Sequence, residues 1–274
     1  MSKGIVSFVG AGPGAEDLMT LRGIRKLEIC DIVIWASSLV PESLLNYCKS
    51  STLIFDSATM TLEDVLNIYD ENRDKIIVRL HSGDPSIYGA IEEQMVWLKD
   101  NDVDFEIIPG VTSLSAASAI LKTELTIPRV SQSVIVTRLA SRTKTSMPAS
   151  EHLPSLCASG ATVAVFLSAS RPNALQEALL TPPSKFNEET HCAVIYRATW
   201  PDEAVVRCEI KNLAKTIRSM KVSKTVLVIV GDVLNTKEVP RSHLYLPEFQ
   251  HSFRSKSKKG SSKGIAKPAS KLKT

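Results

Sequence analysis

Residues 79–90 read Arg79-Leu80-His81-Ser82-Gly83-Asp84-Pro85-Ser86-Ile87-Tyr88-Gly89-Ala90 and follow an apolar, strand-like run at 75–80. A Gly-Asp-Pro corner at the carboxyl end of a strand lifts backbone N–H and C=O groups out of a sheet and holds one carboxylate beside them. In open α/β sheets that crevice is where small ligands bind. A companion turn, Gly10-Ala11-Gly12-Pro13-Gly14, closes an earlier strand. Two glycine-bearing turns on neighbouring strands point to a binding cleft.

Other chemistries fit poorly. Gly10-x-Gly12-x-x-Ala15 resembles a dinucleotide fingerprint, but Pro13 removes an N–H from the turn that would cradle a pyrophosphate. The acidic residue expected at the end of the second strand is missing, because Asp31 begins that strand. No Gly-Lys-Ser/Thr follows the glycines, and no nucleophile-elbow pattern occurs. Cys30, Cys48, Cys157, Cys192 and Cys208 are scattered, odd in number and without C-x-x-C spacing. They read as reduced thiols of a cytoplasmic protein, packed as small hydrophobes, with no metal site expected.

The elements that must hold the turns follow an alternating rhythm. Strands are expected at 5–9, 32–36, 76–80 and 105–108, with helical spacing of Leu18, Leu21, Ile24 and Leu27, and of Leu62, Val65, Leu66 and Tyr69. Thr61 before Leu62-Glu63-Asp64 supplies an N-cap and an acidic first turn. Such a β-α-β rhythm implies parallel pairing. A second series of strands is expected at 133–137, 163–167, 193–196 and 226–230, with a helix at 213–220. Val206, Cys208 and Ile210 alternate with Arg207 and Glu209, as a half-exposed strand would. The expected organisation is a parallel-sheet α/β domain at 1–121 and a smaller mixed-sheet α/β domain at 122–246, with the ligand in the cleft between them.

Composition sets outer limits. Of 274 residues, 43% are apolar and 23% charged, ordinary for a globular chain. No apolar run reaches the ~20 residues that a membrane helix needs, and the N-terminus reads as strand rather than secretory signal. The net charge of +4 belongs to one end: the last 24 residues carry eight Lys or Arg and no Asp or Glu, leaving the rest mildly acidic. The Ser/Lys/Gly-rich stretch 247–274 is expected to be disordered. A solvated extension is the favoured reading, with attraction to nucleic acid or an anionic surface the alternative.

Against this background the chain resembles the tetrapyrrole (porphyrin) methylases that use S-adenosylmethionine. The likeness is carried by residues 7–20, by Trp35-Ala36-Ser37-Ser38-Leu39-Val40-Pro41-Glu42, and by Met60-Thr61-Leu62-Glu63. It is strongest in His81-Ser82-Gly83-Asp84-Pro85-Ser86-Ile87-Tyr88-Gly89-Ala90-Ile91 and Pro109-Gly110-Val111-Thr112-Ser113. Shorter pieces are Thr123-Glu124-Leu125-Thr126, Val130-Ser131-Gln132, Thr137-Arg138, Arg142-Thr143 and the run Tyr196-Arg197-Ala198-Thr199-Trp200-Pro201-Asp202-Glu203. The His-Ser-Gly-Asp-Pro-Ser version and the last run are similar to the branch acting on carbon 11 of precorrin-4. The likeness spans about residues 4 to 234 and stops before the basic tail.

The resemblance implies the two-domain tetrapyrrole methylase fold, a cytoplasmic homodimer, and in-line methyl transfer from the sulfonium to a ring carbon of precorrin-4 or cobalt-precorrin-4 in cobalamin biosynthesis. It maps cofactor contacts onto Ser82, Gly83, Asp84, Ile87, Thr112, Ser113, Leu167, Tyr196, Ala198 and Thr225. It turns Gly10, Gly12, Pro13 and Gly14 toward the substrate. The substrate is a macrocycle bearing many acetate and propionate groups, so basic side chains near strand ends are its expected partners, chiefly His81, Arg138 and Arg142. No residue is assigned as general base.

Plainer roles stand beside these. Asp84 could cap a helix beginning after Pro85, and Thr112 or Ser113 could cap a helix at 114–121. Ile87 and Leu167 would otherwise be core, Tyr196 a packed aromatic, and each arginine a surface ion pair. Residues 10–14 could form a bare strand-to-helix turn. Other readings of the whole are a methylase acting at another ring carbon, a non-catalytic nucleotide-binding module, and, from the tail alone, an RNA-associated protein.

Overall fold

A computed structural model describes residues 4–140, 147–236, 238–239, 241–252, 254 and 256. Arg142 and most of the basic tail lie outside the described residues. The first five strands are β1 (Ile5–Gly10), β2 (Ile32–Trp35), β3 (Leu53–Asp56), β4 (Ile76–His81) and β5 (Asp104–Ile108). They pair in parallel in the order β3-β2-β4-β1-β5. Parallel pairing brings all five carboxyl ends to one edge, and the register sets Gly10 beside His81 and Val9 beside Ile108.

Both faces of this sheet are covered, so its central strands are largely apolar rather than alternating, with Ser7, Arg79 and His81 the polar exceptions. Val9, Val33, Val78 and Leu80 pack with Leu27 of helix α1 (Leu21–Ile29). Phe8, Ile34 and Ile77 pack with Val65, Ile68 and Tyr69 of α2 (Leu62–Glu71) and Met95 and Leu98 of α3 (Glu92–Asp100). Helix α2 begins as its sequence suggested. The Asp64 N–H donates to the Thr61 hydroxyl, and the Asp64 carboxylate accepts from the Thr61 N–H.

Five further strands, β6 (Val134–Arg138), β7 (Thr162–Phe166), β8 (His191–Tyr196), β9 (Ala204–Glu209) and β10 (Val226–Val230), form a mixed sheet in the order β6-β7-β10-β8-β9. β6 and β7 are parallel, and the remaining pairs are antiparallel. The ends of β6, β7 and β8 therefore share an edge with the beginnings of β9 and β10. One face carries α5 (Leu153–Leu156), α6 (Pro172–Leu180) and α7 (Ile210–Ser219) through Leu153, Leu175, Leu179, Leu213 and Ile217. Ala116, Ala117 and Leu121 of α4 (Ser113–Leu121), the helix that leaves the first sheet, cover the other face.

Three expectations need correction. The second sheet is not smaller, since it too has five strands. No helix follows Pro85; residues 85–88 form turns, and α3 starts at Glu92. Ile210 is not part of the alternating strand, because β9 ends at Glu209 and α7 begins there. Strand β3 was not anticipated: it is a four-residue edge strand with Leu53 and Ile54 exposed, and its short apolar run does not alternate.

Candidate functional site

Three glycine turns close the carboxyl edge of the parallel sheet. The Ala11 N–H donates to the His81 carbonyl at 2.7 Å, and Gly12 and Gly83 exchange both backbone bonds (3.2 and 2.7 Å). Gly10, Gly83 and Gly110 meet backbone to backbone. A Cβ added to Gly10 would lie 2.5 Å from the Gly110 Cα and 2.7 Å from the Gly83 oxygen. Gly83 has φ +66°, and its Cβ direction points at Thr112 and Ser113, 3.8–3.9 Å away. The bend at Ser82 and the turn at Thr112 thus face each other.

Asp84 locks this arrangement. The Gly110 N–H donates to its Oδ2 (2.9 Å), while the Ser86 N–H (2.8 Å) and the Ser86 hydroxyl both donate to Oδ1. Burial alone would raise its pKa, but these donors outweigh it and hold the carboxyl below its ordinary range. Its role is to clip the β4 and β5 corners together. Thr112 caps α4, accepting from the Leu114 N–H at 3.3 Å.

The edge of the mixed sheet gathers the second group. Leu167 follows β7, Tyr196 ends β8 with Ala198 just beyond, and Thr225 precedes β10, with the Arg197 N–H bonded to the Thr225 carbonyl at 2.9 Å. Backbone strain concentrates here. Leu167, Arg197, Thr199 and Thr225 all have positive φ, a conformation that side-chain-bearing residues adopt mainly where function or tight geometry imposes it. Leu167 is also 65% exposed. A strained, solvent-facing leucine adds nothing to a core. Ala198, by contrast, is buried against α4.

The two edges are joined directly. The Trp200 Nε1–H donates to the Pro13 carbonyl at 2.9 Å, the Ala15 N–H donates to the Thr199 hydroxyl at 2.9 Å, and the Trp200 ring lies against Gly14. Arg197 stacks over that ring at 4.0 Å and pairs with Asp202 at 3.1 Å. On the other flank Tyr88, with φ 57°, sets its ring 5.6 Å from Phe166. Burial raises the Tyr88 phenol, and the Arg138 charge opposes this, placing Arg138 near it at the end of β6.

Residues 10–14 are buried, and the polar groups of Gly12 and Pro13 are engaged by Gly83 and Trp200. Ser82, Ile87 and Thr225 are exposed, and Thr112, Ser113, Tyr196 and Arg138 half-buried. His81 is buried beneath the corner, and Arg142 lies outside the described residues. Trp200, Thr199, Phe166 and Tyr88 were not singled out from sequence. Trp200 had a faint signal, an aromatic inside a polar turn, whereas nothing marks Tyr88 as a bridge before the sheets are placed.

Comparison with known proteins agrees with this architecture. The sequence profile of the Tetrapyrrole (Corrin/Porphyrin) Methylases matches residues 6–214. The chain is 45% identical over 256 residues to a cobalt-precorrin-4 C(11)-methyltransferase of Methanocaldococcus jannaschii, covering 93% of this chain and 97% of that one. Among solved structures, that of the cobalamin biosynthetic enzyme cobalt precorrin-4 methyltransferase, CbiF, matches with a TM-score of 0.80 and 38% identity, covering 85% of this chain and 96% of the other. The uroporphyrin-III C-methyltransferase of Thermus thermophilus, solved as a complex with S-adenosylhomocysteine, shares the fold with a TM-score of 0.68 and 24% identity, covering 84% and 98%. With three quarters of its length matched by one family profile, the chain belongs to the tetrapyrrole (corrin/porphyrin) methylases.

Proposed function

We infer that this chain is an S-adenosylmethionine-dependent methyltransferase that methylates carbon 11 of precorrin-4 or cobalt-precorrin-4 in cobalamin biosynthesis. The observation that carries the reading is the facing pair of turns at 82–84 and 112–113, opposite a strained sheet edge bearing Leu167, Tyr196 and Thr225. The names of the 45%-identical relative and the 38%-identical structure supply the substrate.

The residues suit the methyl donor. A flat adenine laid on exposed Leu167 would bury apolar surface that the fold leaves open. Ser82 and Thr225 offer hydroxyls at the two rims, and Gly83 keeps its turn free of a side chain. When bound, S-adenosylmethionine supplies an electrophilic methyl group. Asp84 acts through the backbone it clips, fixing where the Gly83 and Gly110 amides point. The Trp200–Pro13 and Tyr88–Phe166 contacts hold the two edges at a set spacing, so the reactants meet already oriented, a contribution of roughly 7–11 kcal/mol in favourable cases. Substrate carboxylates would meet Arg138, Arg142 and His81, with the 10–14 turn flooring the cleft.

The reading extends to a homodimer acting in the cytoplasm, with lobes dividing near residue 121 and α4 tying them together. The decisive experiment incubates the protein with cobalt-precorrin-4 and methyl-labelled donor and maps the product by mass spectrometry. One label at carbon 11 is expected; a label at another ring carbon would keep the class and overturn the assignment. Absence of S-adenosylhomocysteine binding by calorimetry would overturn the methylase reading itself.

A further inference from the structure

Arg79 and His81 occupy successive same-face positions at the carboxyl end of β4. Among the described residues three buried side-chain nitrogens lack a hydrogen-bond partner, and two of them are Arg79 Nε and His81 Nε2. Their coincidence two residues apart, directly beneath the Gly-Asp-Pro corner, calls for an acceptor. Among the described residues neither nitrogen finds one. Phe8 and Ile34 flank Arg79 on the neighbouring strands, and the Phe8 ring lies 6.0 Å from that of His81. Nearby polar groups are satisfied among themselves: the Tyr69 hydroxyl donates to Gln94 Oε1 (2.7 Å), and Gln94 Nε2 donates to the Ala90 carbonyl (3.1 Å). Among the described residues Arg79 makes one hydrogen bond, to the Ile34 carbonyl at 3.3 Å, and no carboxylate pairs with it.

Arg79 is half-buried, and a guanidinium nitrogen withdrawn from water with neither a partner nor a counter-charge destabilises a fold. A ligand oxygen that completed both nitrogens would offset that cost. We propose that Arg79 and His81 clamp one carboxylate of the substrate macrocycle, an inference that rests on the functional reading above. Burial, reinforced by the Arg79 charge, lowers His81 to about 3, so the imidazole is neutral and donates a hydrogen bond while Arg79 carries the charge. The clamp sits at the corner whose other side forms the 82–84 turn, so it would anchor the macrocycle beside the methyl donor, adding binding energy that is equal in the ground and transition states.

The test compares Arg79→Met, Arg79→Lys and His81→Phe with the parent. Cobalt-precorrin-4 kinetics, S-adenosylhomocysteine calorimetry and thermal melting with and without uroporphyrin III, a non-reacting octacarboxylate macrocycle, are measured. Arg79→Met should raise KM about tenfold or more, the loss of a charge-assisted hydrogen bond, and leave kcat within about threefold. Arg79→Lys should fall between, and His81→Phe should also raise KM. The methyl-donor product should bind all variants equally. Arg79→Met should melt no lower than the parent when free and lose the stabilisation by uroporphyrin III. An unchanged KM in folded Arg79→Met overturns the clamp, as does an unfolded Arg79→Met together with an unchanged KM in His81→Phe. If the parent itself fails to bind S-adenosylhomocysteine, it is the methylase reading that falls.

Discussion

Asp84 shows how one carboxylate can tie together turns from two different strands. Both of its oxygens accept hydrogen bonds from inside the protein, and one of the donors belongs to a different strand's turn. Its folded-state pKa is depressed. The clip's contribution is therefore complete above the unfolded value of about 4 and is lost as pH falls through the lower folded value. Asp84→Asn should cost about 1 kcal/mol, the scale of a net hydrogen bond on a partly exposed group. Urea unfolding across pH should show that difference as constant above pH ~5 and shrinking on acidification. A difference unaltered down to pH ~2 would mean that ionisation of Asp84 plays no part.

Turns, more than strands, carry the site. Gly10, Gly83 and Gly110 come from three different strand ends, and any Cβ on Gly10 or Gly110 would collide with backbone rather than with a movable side chain. Gly110→Ala is thus expected to destabilise by more than about 3 kcal/mol and to abolish cofactor binding. Gly160→Ala is the control: its φ is positive, +71°, but its Cβ would meet only the flexible Lys185 chain at 3.6–3.8 Å. That variant should cost about 1–2 kcal/mol and leave S-adenosylhomocysteine affinity intact in calorimetry. Equal effects from both substitutions would show that the three-glycine contact has no special role.

The two sheets each own an apolar core, and the bonds joining their edges are few. Trp200 makes the most extensive of these, packing on Gly14 and donating to Pro13. Trp200→Ala should therefore weaken S-adenosylhomocysteine binding more than it weakens either core. Guanidinium unfolding of that variant should separate into two steps, followed by circular dichroism and by the fluorescence of buried Trp35. Trp200→Phe keeps the ring and loses one hydrogen bond, worth about 1 kcal/mol, so its transition should stay single. Coincident transitions in Trp200→Ala would show that the Trp200 contact is not what couples the sheets.

Much was legible in the chain before any fold was known. The glycine-bearing turns at 83 and 110 announce themselves by residue type: φ at Gly83 is +66°, and a Cβ on Gly110 would strike backbone. Capped helices were equally plain, since Thr61 with Asp64, and Thr112, act through neighbours in sequence. Strand β3 was hidden because its Leu-Ile-Phe run is short and does not alternate, and α3 because six residues separate its start from Pro85. A local role for Asp84 is visible in sequence, and Ser86 fulfils it, but the other donor to its carboxylate, Gly110, lies 26 residues away. The Trp200–Pro13 bond spans 187 residues, and the missing acceptors around Arg79 and His81 become visible only once Phe8 and Ile34 are placed beside them. Local composition thus dictates turns, caps and apolar runs, because those energies act between chain neighbours. Which turns meet, and which charges are left without a counterpart, depends on long-range packing that no stretch of residues encodes alone.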